Sequence, residues 1–69
     1  MAIIYAATNE DIDAFIERLL AKRNASMLEV VGEFTFGDHI CKLTCRPRST
    51  KNSLLDDFYS WKRNIMPGK

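Results

Sequence analysis

His39, Cys41 and Cys45 share the parity of one short stretch, and these are side-chain types that ligate metals or carry thiol chemistry. On a strand all three project to the same face. Spacing argues against a joint site. Cys41 and Cys45 stand about 13 Å apart along a strand at the usual rise, too far for a disulfide with each other or for one tetrahedral zinc. On an apolar face they read as small buried hydrophobes. His39 sits at a turn beside Asp38 with no second group converging on it, so it reads as a turn residue rather than an acid–base catalyst.

No other stretch supplies a nucleophile or a phosphate cradle. The chain lacks G-x-S-x-G, a glycine-rich phosphate loop and H-E-x-x-H. The expectation is therefore a protein that is not an enzyme and holds neither a cofactor nor a metal.

Charge offers more. The chain has a net charge of +1, but residues 1–39 sum to −4 and residues 40–69 to +5. Such asymmetry can mark binding faces. The acidic residues Glu10, Asp13 and Glu17 recur on the outer side of a predicted helix, where they could steer a basic partner. Tyr59 is of a type enriched at contact hot spots. The basic set is Arg46, Arg48, Lys51, Lys62 and Arg63, which would contact phosphates if the fold gathers it into one patch. A sequence pI of about 7.8 and the absence of paired sheet aromatics, with Tyr5 standing alone, weaken that second reading.

The elements that must position these residues follow from hydrophobic periodicity. Met1–Ala7 is a short apolar run ending at Thr8-Asn9 and reads as a strand. Ile12, Phe15, Ile16, Leu19 and Leu20 form one helical stripe. Thr8 and Asp11 are placed to imitate a capping box, and Asn24 is placed as its stop. From Ser26 the period becomes two, with Leu28, Val30, Phe34 and Phe36 on one face and Gly32 between them, as a bulge or an opening for a helix. Gly37-Asp38 fits a type II′ hairpin, followed by a strand from His39 to about Arg46, where Pro47 intervenes. Pairing Phe36 with His39 makes one face apolar and sets Glu33 opposite Lys42 and Glu29 opposite Arg46. A one-residue slip would destroy both patterns.

After a basic connection from Pro47 to Asn52, Ser53 and Asp56 suggest a second capping-box imitation. Leu54, Phe58, Trp61 and Ile65 then form a second helical stripe, with Trp61 as its core anchor and Pro67-Gly68 as its end.

The predicted fold is thus one α+β domain over residues 1–69, in the order β-α-β-β-α. A parallel crossover and a hairpin suggest a three-stranded mixed sheet in the order 1-3-2 with both helices on one face, like a ferredoxin-like unit lacking its last strand. The first strand would be an edge without charge or proline to guard it, which suggests a homodimer through that strand. With 69 residues and two cysteines, no membrane-length apolar run and no signal-peptide pattern, a cytoplasmic location is expected. The functional expectation is a small regulator or inhibitor, of the kind phages and mobile elements encode, that masks a surface of a larger protein. The alternative is a nucleic-acid-binding protein.

Overall fold

The computed structural model describes residues 2–65. Met1, Met66, the predicted helix end at Pro67-Gly68 and Lys69 lie outside them. The elements are β1 (Ala2–Tyr5), α1 (Ile12–Ser26), β2 (Val30–Phe36), β3 (His39–Cys45) and α2 (Lys51–Ile65). They build the expected α+β class: a three-stranded mixed sheet with two helices packed on it.

Strand order corrects the prediction. The sheet runs β1-β2-β3 rather than 1-3-2, with β1 parallel to β2 from Ala2↔Val30 to Tyr5↔Glu33. The two strands joined by α1 are direct neighbours, so the likeness to a truncated ferredoxin-like unit does not hold. The physical reason lies at Gly32. A Cβ there would stand 2.7 Å from one Leu19 methyl, 2.8 Å from the other and 2.8 Å from Phe15 Cζ. The missing side chain lets α1 lie directly on β2. A helix seated on β2 links it to the adjoining strand without crossing a third.

The β2–β3 hairpin has the predicted register throughout, from Phe36↔His39 to Val30↔Cys45. Gly37 has φ of 63° while Asp38 stays at negative φ, the signature of the predicted II′ turn. Glu29 and Arg46, just beyond the ladder, close to 3.4 Å.

Both predicted caps move. The segment Ala7–Glu10 forms a turn closed by a Glu10 N–H to Ala7 C=O bond of 3.0 Å, with Asn9 left-handed at φ 65°. Asp11 is the N-cap of α1 by backbone geometry but makes no side-chain capping bond. Thr8 is therefore part of a turn, not a cap. The helix also passes Asn24 and ends at left-handed Met27 (φ 58°), whose N–H returns to the Arg23 carbonyl. That late ending leaves Leu28 outside β2 and 59% exposed.

At α2 the capping pair is Thr50 and Ser53, one turn earlier than Ser53 and Asp56. The Ser53 N–H donates to Thr50 Oγ1 at 3.1 Å, and the Thr50 N–H donates to Ser53 Oγ at 3.0 Å. This is the reciprocal logic of a capping box, with a serine hydroxyl in place of a carboxylate.

The core joins Phe15, Ile16 and Leu19 of α1, Val30 and Phe34 of β2, Cys41, Leu43 and Cys45 of β3, and Leu54 and Phe58 of α2. Phe34 lies between Phe15 (ring centroids 5.5 Å) and Phe58 (5.3 Å), tying both helices to the sheet. Each such buried side chain stabilises the fold by roughly 1.5–3 kcal/mol. Trp61, expected as the anchor, is only half-buried and packs at the hairpin end against Phe36 and His39. No helix among the described residues is long and apolar enough to cross a membrane.

Candidate functional site

The two cysteines are buried, free of disulfides and directed into the core. Burial, reinforced by the Asp57 carboxylate, pushes the Cys41 thiol up to about 11. Burial also raises Cys45, against an opposing pull from Arg23. Both are held as thiols rather than nucleophilic thiolates. His39 is exposed, its ring edge-on to Trp61 at 6.4 Å. Among the described residues no three His, Cys, Asp or Glu side chains converge as metal ligands.

The acidic set is partly consumed inside the chain. Glu10 Oε1 accepts the Ala7 N–H at 2.8 Å and pairs with Arg18, leaving its side chain 11% exposed. The Ala7 N–H is the main influence lowering its pKa, helped by Arg18 against some desolvation. Glu17 pairs with Lys51 at 2.9 Å, which lowers the carboxyl and raises the amine. One member of the acidic set thus neutralises one member of the basic set. Asp13 and Tyr59 remain exposed.

The basic set is divided. Arg46, Arg48 and Lys51 lie where β3 passes into α2. Lys62 lies at the far end of α2, its ammonium 4.8 Å from the centroid of the Phe36 ring beside the hairpin, with Arg63 exposed next to it. Eleven helical steps separate Lys51 from Lys62, about 16 Å. The loop that carries the first group is held by Arg23, through a contact between distant residues that no local pattern marks. Arg23 Nη1 donates to the carbonyls of Arg46 (3.0 Å) and Ser49 (2.6 Å), stitching the loop to the end of α1.

One cleft of about 530 Å³ does gather predicted residues from both sets. Glu10, Tyr59 and Lys62 line it, with Phe34, Phe36 and Phe58 among its apolar walls.

The sheet face opposite the helices is uncovered among the described residues. Register aligns Ile3 with Val31 and Thr44, Tyr5 with Glu33 and Lys42, and Thr35 with Ile40. Ile3 is 51%, Tyr5 63% and Ile40 58% exposed.

Backbone parity then defines the two edges. The hairpin makes Phe36 and His39 a closing hydrogen-bonded pair, so His39, Cys41, Leu43 and Cys45 direct their N–H and C=O groups at β2. Ile40, Lys42 and Thr44 direct theirs outward, and none of these groups has a protein partner among the described residues. On β1 the Ala6 N–H donates to the Glu33 carbonyl at 3.0 Å, so Ile3 and Tyr5 face outward. There the Tyr5 carbonyl accepts from Arg18 Nη2 at 3.4 Å. Arg18 thus guards an edge whose own strand has no guard. A contact thirteen residues away leaves no local pattern, which is why periodicity missed it.

Comparison with protein-family models, curated proteins and solved structures yields no match for this chain.

Proposed function

We propose that the chain is a non-enzymatic protein-binding module that regulates or inhibits a larger partner by masking part of its surface. The observation that carries this reading is the open sheet face, where Ile3, Tyr5 and Ile40 stand exposed around half-buried Val31 and Thr44. Glu33 and Lys42 lie between these side chains, in the middle row of the face, so the surface joins exposed apolar groups to charge that a partner would have to match. The acidic helix face supports binding less well, because Glu10 and Glu17 already have partners within the chain. Separation of Lys62 and Arg63 from Arg46, Arg48 and Lys51 likewise weakens the nucleic-acid alternative.

Photo-crosslinking in cells tests the proposal. Tyr5→p-benzoylphenylalanine places a reactive group on the open face, and Asp13→p-benzoylphenylalanine places one on the outer side of α1. A discrete protein adduct from the Tyr5 position and none from the Asp13 position is expected. Adducts from the Asp13 position alone would move the contact to the acidic helix, and none from either would reject the reading.

A further inference from the structure

Three strands at the usual spacing, about 20 Å long, present only about 300 Å² of projected face. A specific interface needs on the order of 800 Å² per partner. Accessible area exceeds projected area, but a partner on so small a face still gains contact by reaching past it, and the adjoining backbone with unmet hydrogen-bonding capacity is the outer edge of β3.

We infer that β3 is a docking edge, and that its occupant is an extended acidic segment of another protein added as a fourth strand. This inference rests on the protein-binding reading above and specifies its partner. The N–H and C=O groups of Ile40, Lys42 and Thr44 point outward without protein partners among the described residues, as strand addition requires. The seven-residue length of β3 gives such a segment three outward-facing residues to pair with.

Charge selects the occupant. β3 contains no acidic residue, and its central outward position is Lys42. Although Lys42 lies across from Glu33, it makes no ion pair among the described residues. A carboxylate opposite Lys42 on an added strand would supply one. Ile40 and Thr44, two positions to either side, suit β-branched neighbours.

A second copy of the chain fits worse. Two-fold antiparallel pairing centred on β3 would set Lys42 against Lys42, and like charges directly opposed are destabilising. Moving by one hydrogen-bonding repeat avoids that clash but sets Lys42 against Thr44 or Ile40, which leaves its ammonium without a carboxylate. Lys42 therefore disfavours the centred self-pairing, as lysines on natural edges do, while favouring an acidic strand. β1 does not compete for that strand, being four residues long with Arg18 on its Tyr5 carbonyl.

The probe is the blocked peptide Thr-Thr-Val-Thr-Glu-Thr-Val-Thr-Thr, titrated into the full ¹⁵N-labelled chain, beside a peptide with Lys in place of Glu. Amide resonances of Ile40, Lys42 and Thr44 should shift and their hydrogen exchange should slow with the Glu peptide, while Ile3 and Tyr5 amides keep their exchange rates. The Lys peptide should bind at least tenfold more weakly, and Lys42→Glu should reverse that preference. Thr44→Pro removes an outward N–H without removing a β2–β3 bond, and should weaken binding at least tenfold with the rest of the spectrum retained. If the proline variant does not fold, the Lys42→Glu reversal decides alone. No shift at millimolar peptide, or equal binding of both peptides, would overturn strand addition. Shifts confined to face residues without slowed edge exchange would also overturn it, and with a crosslink from the Tyr5 position they would leave the masking function standing.

Discussion

The two edges of this sheet are guarded in opposite ways. β1 is short and carries no charge, and its protection comes from α1, where Arg18 reaches the Tyr5 carbonyl and pairs with Glu10. β3 is nearly twice as long, carries Lys42 in its own middle, and has no partner for its outward backbone groups among the described residues. One edge is closed by a tertiary contact and the other is made selective by its own sequence. Edge protection is thus a property of the whole domain, and a strand without charge is not thereby an open one.

Gly32 is where α1 meets β2, the strand between the two edges, so replacing it would break the comparison altogether. In Gly32→Val the new Cβ would enter within 3 Å of Leu19 and Phe15. Both are fully buried and have little room to give. Overpacking of this kind costs about 1–3 kcal/mol, and with branched bulk the upper end is expected. Domains this small often have only about 3–5 kcal/mol in total. Urea unfolding followed by circular dichroism should show a midpoint lowered by more than half or a lost cooperative transition. An unchanged midpoint would mean that α1 is not seated on β2.

The hairpin was legible because two independent patterns, apolar alternation and cross-strand charge, agree on one register. Both helices were legible from their stripes, and the buried cysteines from their parity. Strand order was not. It turns on how closely α1 approaches Gly32, and the sequence shows a glycine there without showing which helix uses it. Caps failed for a related reason: Thr8, Ser53 and Asp56 fit the pattern, but Asn9 turns left-handed and Thr50 reaches Ser53 first. For the candidate site, residue types were readable and groupings were not. Separation of Lys51 from Lys62, and capture of Glu17 by Lys51, depend on α2 running back along β3.

β3 and α2 are coupled through the loop that Arg23 and the Thr50–Ser53 pair hold. Thr50→Ala should lower stability by about 1 kcal/mol, the usual effect of losing an N-cap. Thr50→Asp should recover most of it, because a carboxylate accepts the same N–H. A thermal melt of the three proteins distinguishes this from nonspecific damage, in which aspartate would fare no better than alanine.

Alkaline pH should weaken the β3 side in a graded way. Cys41 titrates near 11 in the folded chain against an ordinary value of 9.0, so the unfolded chain loses its thiol proton first as pH rises. Stability linked to this group is intact below about pH 9 and declines between 9 and 11. Urea midpoints across that interval should fall less steeply in Cys41→Ala than in the parent. Parallel slopes would remove Cys41 as the cause.

The smallest expected change in stability bears most directly on the two edges. Arg18 is half-exposed, and its pair with Glu10 is worth at most about 1 kcal/mol after solvent screening. Arg18→Ala should therefore leave the unfolding midpoint nearly unchanged, since Glu10 keeps its bond from the Ala7 N–H. Its effect should appear in association instead. With the Tyr5 carbonyl released, the uncharged β1 edge has nothing to oppose pairing with a second copy. Sedimentation equilibrium should then show self-association stronger than in the parent, with amide exchange at Ile3 and Tyr5 slowing as concentration rises. Ile40, Lys42 and Thr44 should be unaffected, because the substitution leaves β3 and its lysine unchanged. If exchange slowed on β3 instead, a single lysine would be too weak a guard, and the division between a closed edge and a selective one would fail.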